Sequence, residues 1–261
     1  MPRSASLWGD LAVTLERAER WLLPGSCLLC GETQAGPSGS DPLICGLCLN
    51  RLASLPDPQC RRCGQPLSPG IACRLCAGWP EPLVGVRSAV WLDRPARRAV
   101  HLLKYGGWWR LAEHLAQVIV TRLGVRVDPA LQPVSRPVIV PIPLSPARQR
   151  ERGYNQSAVL AEALAKLTGL SVADPLRRRR DTGTQTALTP EARRANLAGA
   201  FVAMETPPRH SILVDDVFTT GATLAEAAGA LLEAGAAVVG GLTFARAMRP
   251  LADAASAPDQ R

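Results

Sequence analysis

Hydrophobic and polar positions give this chain two textures. From residue 83 onward, short apolar runs alternate with longer stretches in which apolar residues recur every three or four positions. Leu83 to Leu92 reads as a strand. Arg94 to Leu103 and Arg110 to Leu123 read as helices, separated by Lys104-Tyr105-Gly106-Gly107. Pro137 to Leu144 reads as a strand entering a basic loop, and Gln156 to Leu167 as an Ala/Leu helix. A further apolar run, Ile212-Leu213-Val214, stops at Asp215 and Asp216 and is followed by Thr219-Thr220-Gly221-Ala222-Thr223 and another Ala/Leu segment. Strands and helices in this order predict an α/β fold, a mostly parallel sheet flanked by helices on both faces. Ligands of such sheets sit beyond the carboxyl ends of the strands. Ahead of residue 83, Leu7, Leu11, Leu15, Ala18 and Leu22 fall at helical spacing until Pro24 ends the pattern. A Gly/Pro-rich stretch follows.

That stretch holds all eight cysteines, as four C-x-x-C pairs: Cys27/Cys30, Cys45/Cys48, Cys60/Cys63 and Cys73/Cys76. Each pair can put two thiolates on one metal ion, and two pairs close a tetrahedral site, so the four predict two zinc ions. With four thiolates no coordination position is left for water or substrate, and both sites are expected to be structural. The sequential pairing joins the first pair with the second and the third with the fourth; the interleaved one joins first with third and second with fourth. Short intervening loops favour the sequential form. A thioredoxin-like role would need one C-x-x-C at a strand–helix junction rather than four in a Gly/Pro-rich stretch. Small residues after the first and third knuckles (Gly31, Gly64) and within the second (Gly46) fit zinc ribbons better than iron–sulfur ligation.

Composition narrows the setting. A hydrophobic content of 47% over 261 residues can build a sizeable core, and with 4% aromatics Leu, Val and Ala must do most of the packing. No uncharged apolar run approaches the ~18 residues of a transmembrane helix, so membrane insertion is not expected. Asp10, Glu16, Arg17, Glu19 and Arg20 break up what would be the apolar part of a signal peptide, which makes a cytoplasmic location the expectation. That setting also argues against a disulfide framework. The net charge of +8 is carried almost wholly by arginine; only Lys104 and Lys166 are lysines. The guanidinium fork suits phosphate, so the excess is compatible with nucleic acid, with a polyphosphate substrate, or with a solvated basic face.

The strand, loop and helix around Asp215 carry the most specific chemistry. Backbone N–H groups at a helix start, Thr hydroxyls and a glycine that lets the backbone come close make a phosphate cradle. Two carboxylates at a strand end that is open to solvent can accept hydrogen bonds from vicinal hydroxyls. An acidic strand end and an ordinary helix cap would explain each part separately; their spacing here favours a single site for a phosphorylated sugar. Arg152, Gly153, Asn155 and Gln156 can present donors to a diphosphate. Arg177 to Arg180, with Gln185 and Arg193 beyond them, form a long basic segment suited to a lid over a polyanion. His101, His114 and His210 lack a Ser or Cys partner pattern, which removes support for a catalytic triad.

Val214-Asp-Asp-Val-Phe-Thr-Thr-Gly-Ala-Thr223 resembles the phosphoribosyl pyrophosphate (PRPP) signature of type I phosphoribosyltransferases. In order along the chain, the four C-x-x-C pairs, Leu103-Lys-Tyr105, Pro141-Ile-Pro-Leu144, Arg152-Gly-Tyr-Asn-Gln156, Thr184-Gln185 with Leu188, Arg193 and Asn196, and the acidic signature resemble the ComF family. These are competence-associated, phosphoribosyltransferase-like proteins with an N-terminal double zinc ribbon, and the likeness runs from about Leu22 to Ala247. It implies a double zinc ribbon over residues 23–80 and a type I phosphoribosyltransferase-like domain over 81–248; the helical spacing ahead of Pro24 adds an N-terminal helix over 1–22, and the polar, Ala-rich end a flexible tail over 249–261. It further implies PRPP bound with magnesium. Asp215 and Asp216 would hold the ribose diol, and Thr219, Thr220, Gly221, Ala222 and Thr223 the 5-phosphate. Lys104, Arg152, Asn155, Gln185 and Arg193 would face the diphosphate. The expected activity is pentosyl transfer in DNA uptake or nucleotide metabolism. The alternative is a non-enzymatic PRPP- or nucleotide-sensing module that binds single-stranded DNA or a DNA-uptake translocase.

Overall fold

The computed structural model describes residues 25–33, 43–68, 70–125, 136–179 and 199–247. The expected helix over Leu7 to Leu22, the residues Gln185 and Arg193, and the tail all lie outside them. The chain divides after Arg51 into two compact units.

In the first unit the described residues form a cysteine knuckle and a short helix. The Cys27 N–H donates to Glu32 O at 2.9 Å, the Gly31 N–H returns to Cys27 O at 2.8 Å, and an antiparallel bridge joins Ser26 to Thr33. Helix α1 (Gly46–Asn50) is capped by Cys45, whose side chain accepts from the Cys48 N–H.

The second unit begins with the same knuckle in the same geometry: Cys60 N–H to Gln65 O at 2.8 Å, Gly64 N–H to Cys60 O at 2.9 Å, and a bridge from Gln59 to Pro66. Gly31 and Gly64 occupy the equivalent turn position with φ of 80° and 69°, a conformation that glycine adopts without a Cβ clash. Strand β1 (Leu83–Trp91) follows, then α2 (Arg94–Tyr105), α3 (Leu111–Leu123), β2 (Val138–Pro141), α4 (Pro146–Arg152), α5 (Gln156–Thr168), β3 (Leu176–Arg178), β4 (Phe201–Ala203), β5 (His210–Phe218), α6 (Ala222–Glu233) and β6 (Val238–Arg246). The main sheet has the order β1-β6-β5-β2, and its paired neighbours run parallel. Helices α3 and α5 pack on each other and on the sheet, and α6 packs against β5 and β6 together with the antiparallel β3–β4 pair.

The expected elements from residue 83 onward recur with small shifts. The strand expected over Pro137 to Leu144 ends at Pro141. Pro141 and Pro143 lack an N–H, so the ladder cannot continue, although the Ile142 N–H still reaches Val214 O at 3.0 Å. Arg177 and Arg178, expected in a long lid, are paired in β3 with Val202 and Phe201. The second cysteine cluster shares its core with the sheet: Cys63, Cys76 and Trp79 join Leu83, Val86, Phe218, Ala222 and Val239 in one buried cluster.

Candidate functional site

Register places the acidic pair. Pro141, the last residue of β2, pairs with Val214, so β5 runs on past its neighbour and carries Asp215 and Asp216 beyond the end of β2. On the other side Asp215 pairs with Thr243 of β6. Helix α5 starts opposite this strand end. Asn155 caps it by accepting the Ser157 N–H at 3.0 Å, and its amide donates to Ile142 O at 3.0 Å. Both polar groups of Asn155 are thus spent on holding the start of α5 to the exit of β2. The next two residues face the carboxylates: Ser157 Oγ donates to Asp215 Oδ1 at 2.9 Å, and Gln156 Nε2 to Asp216 Oδ1 at 3.3 Å.

The two carboxylates differ. Asp216 is 2% exposed and its Oδ2 lies 2.6 Å from Lys104 Nζ. The strand end is therefore less open than the sequence suggests, because Lys104 and Gln156 cover Asp216. Burial opposes the charge of Lys104, but Asp216 and Asp215 outweigh it and hold the pKa above its ordinary value. Asp215 is half-buried and accepts its own neighbour's N–H at 2.9 Å. Burial, reinforced by the adjacent Asp216 and only partly offset by Lys104, raises its pKa to about 7.

Arg152 reaches the same place from the end of α4. It donates to Gln156 Oε1 at 2.8 Å and to the Tyr105 hydroxyl at 3.1 Å, and its guanidinium lies 4.8 Å from the centre of the Tyr105 ring. Its Nε is buried without a hydrogen-bond partner. Gln156 thereby links Arg152 to Asp216 in one chain of polar contacts. Tyr154 anchors the turn by donating to Leu103 O.

Past Phe218 the chain turns through Thr219 and Thr220 into α6. Gly221 occupies the N-cap with φ of 77° and no side-chain cap, while Thr220 Oγ1 accepts from the Ala222 N–H at 3.4 Å. A Cβ on Gly221 would meet Trp79 Cζ2 at 2.3 Å and Phe218 Cζ at 2.8 Å. Only glycine fits this close turn.

These parts enclose a cavity of about 270 Å³ lined by Asp215, Asp216, Thr219, Thr223, Lys104, Arg152 and Gln156, and also by Arg97, Arg148 and Arg178. Five cations thus face two carboxylates, one of which titrates near neutrality, so the cavity favours a polyanion. Of the residues singled out from the sequence, Asp215, Asp216, Thr219, Thr223, Lys104, Arg152, Gln156 and Arg178 meet here. Thr220, Gly221 and Ala222 build the turn behind, and Asn155 serves the frame. Ser157, Arg97 and Arg148 are additions. Arg97 could have been found from its seven-residue spacing to Lys104, which puts both on one face of α2. Nothing in the sequence ties Ser157 to Asp215.

The cysteines resolve into two clusters, Cys27/Cys30/Cys45/Cys48 and Cys60/Cys63/Cys73/Cys76, with all four sulfurs of each within 4.8 Å of one another. The sequential pairing is the one formed. In the first cluster burial raises the Cys27 thiol, but backbone N–H groups of Cys45, Cys30 and Leu29 outweigh it and bring the pKa down to about 6, while burial drives Cys48 up. In the second, the N–H groups of Cys63 and Arg62 overcome burial and lower Cys60 to about 7; burial and neighbouring thiols push Cys76 up to about 11 and raise Cys63. Four thiolates this close repel one another unless a cation lies between them, and a tetrahedral zinc ion suits the donor set.

Residues 18–77 match the family model described as a double zinc ribbon domain. The DNA utilization protein YhgH of Salmonella typhimurium is 35% identical over 222 residues, covering 83% of this chain and 95% of that protein. Competence protein ComFC of Streptococcus pneumoniae is 26% identical over 221 residues, covering 80% and 94%. Among solved structures, the glutamine PRPP amidotransferase from B. subtilis, complexed with ADP and GMP, matches with a TM-score of 0.32 and 20% identity over 53% of this chain and 26% of that one. So slight a likeness adds nothing to what the sheet order and register already say.

Proposed function

The chain belongs to the ComF family, and from that premise we propose that the cavity beyond β2 and β5 binds PRPP with magnesium and supports phosphoribosyl transfer. Asp215 takes the ribose diol, with the buried Asp216 behind it held by Lys104 and Gln156. The Thr219–Thr223 turn and the start of α6 take the 5-phosphate. Lys104 and Arg152 face the diphosphate, with Asn155 steadying the turn beside them and Gln185 and Arg193 following from the basic segment. Magnesium is held largely by the substrate's own oxygens and water, as this ion prefers. The observation that carries the reading is the meeting, in one cavity, of a carboxylate pair, an uncapped glycine turn at a helix start, and five cations.

In the reaction, diphosphate leaves C1 as the acceptor approaches, through a transition state with oxocarbenium character. This chain's residues contribute by position and charge rather than as a nucleophile. The unpartnered Arg152 Nε is a donor for the departing oxygen. The relatives named for DNA utilization and competence support a role in DNA uptake, in the cytoplasm; nucleotide metabolism is the other setting for the same chemistry.

A second reading has its own observation. Arg94, Arg97, His101 and Tyr105 share the exposed face of α2, and Trp108 and Trp109 follow it at 40% and 54% exposure. Arginines interleaved with exposed aromatic rings suit single-stranded DNA, with bases stacked on the rings. The chain would then sense PRPP or a nucleotide without turning it over, and hand the strand to a translocase. Diphosphate release from PRPP, measured across a panel of bases, separates the two. Base-dependent release that disappears in Arg152→Ala supports transfer. PRPP binding without release from any base supports the sensing module.

A further inference from the structure

The second cysteine cluster is built into the floor of the phosphate turn. Trp79 is the link. Its N–H donates to Cys76 O at 3.2 Å, its side chain is 7% exposed, and its ring faces Phe218 at 6.1 Å and fills the space beside Gly221. Arg62, next to Cys63, fixes the same segment by donating to Cys76 O, Trp79 O, Pro80 O and Leu83 O. A second link comes from the end of β6. The Arg246 side chain is 1% exposed, donates to Cys63 O and to Gln65 Oε1, and stacks 3.8 Å from the centre of the Phe218 ring. Phe218 is the last residue of β5, directly before Thr219. Cysteine knuckle and turn thus share two buried side chains, and neither can shift without the other.

We propose that Trp79 and Arg246 are positioning residues that make the order of the Thr219–Thr223 turn, and hence its hold on a phosphate group, depend on the metal-loaded state of the Cys60/Cys63/Cys73/Cys76 centre. A four-thiolate zinc centre carries net negative charge, and the buried Arg246 guanidinium beside Cys63 compensates it while gripping Phe218. Loss of the ion frees Cys76 and the Trp79 segment, and Gly221 loses the surface it is packed on. Coupling of this kind is reciprocal: a ligand that orders the turn must also tighten the hold on the ion. The claim about ligand affinity rests on the phosphate role given to this turn above; the claim about order does not.

The test uses the full zinc-loaded chain and three readouts. Trp79→Leu keeps all eight cysteines, so both ions should stay bound. Amide exchange in Thr219 to Ala225 should speed up while exchange in β1 and β6 stays as in the wild type, and PRPP affinity should fall by roughly tenfold. The zinc affinity of a Cys27→Ser/Cys30→Ser variant, which retains only the second centre, should rise several-fold when PRPP is added, read by equilibrium competition with a chelator. Unchanged exchange at the turn in Trp79→Leu, or an equal rise throughout the sheet, overturns the proposal. So does a zinc affinity indifferent to PRPP in a chain that binds it. If the wild type does not bind PRPP, the ligand reading fails, and exchange at the turn, compared between the zinc-loaded and the chelated wild type, still decides whether the metal centre orders it.

Discussion

Asp215 and Asp216 are adjacent in sequence and unlike in circumstance. Asp216 is buried against Lys104, whose side chain is 22% exposed, so Asp216→Asn strands a largely buried ammonium. That variant should lose about 1–3 kcal/mol of stability, read as a lower Tm, in addition to weaker PRPP binding. Asp215→Asn should lose affinity with no fall in Tm, and above pH 7 with a gain because the costly ionisation is removed, which makes it the cleaner probe; equal Tm losses in both would contradict the assignment. With its pKa raised to about 7, Asp215 keeps a proton in the folded chain that the unfolded chain has already released. Its ionisation therefore costs stability as the pH rises from about 4 to 7, and the cost is complete above that window. Binding of a ribose diol to the ionised group should strengthen through the same range. Calorimetry from pH 6 to 8 should show PRPP affinity climbing in the wild type and a flatter profile in Asp215→Asn. The acidic pair was legible in the sequence because a strand run ends on it. The difference between its members was not, because Lys104, Gln156 and Ser157 reach it from other elements.

At the scale of elements, the turn between β5 and α6 concentrates the constraints. Gly221→Ala would place a methyl 2.3 Å from Trp79 on a backbone with φ of 77°. It should cost about 1–3 kcal/mol from the backbone conformation alone, with further loss from the clash, and should weaken binding of ribose 5-phosphate. Wild-type Tm and affinity in this variant would mean that the turn does not hold the phosphate. The Thr/Gly pattern betrayed the turn; the tryptophan beneath it did not, since periodicity and motif carry no information about which distant segment packs under a loop. The same limit applies to Arg177 and Arg178. Their charge suggests a mobile lid, whereas pairing with Val202 and Phe201 puts them in a strand. The parallel sheet itself was readable, because each crossover from residue 83 onward shows its own change of hydrophobic period.

At the scale of the whole molecule, each unit closes one metal site from its own cysteines. Metal analysis should give two zinc ions per chain, and one or none in native protein would contradict the pairing. Cys27→Ser should leave the unfolding transition of the sheet-containing unit in place. Cys60→Ser should lower it, because Cys63, Cys76 and Trp79 share that unit's buried core. The sequence alone suggests a ribbon that can unfold by itself; the packing argues that the second knuckle and the sheet fold together. The basic cavity and the acidic strand end support the proposed binding of a phosphorylated sugar, and calorimetric titration of the zinc-loaded chain with PRPP and magnesium at pH 8 is its sharpest test. One PRPP site per chain is expected, with affinity tenfold or more weaker for ribose 5-phosphate, which lacks the diphosphate, and roughly tenfold to a hundredfold weaker for PRPP in Arg152→Ala. An absence of binding at millimolar PRPP, or equal affinity for PRPP in wild type, Arg152→Ala and Asp215→Asn, would contradict it.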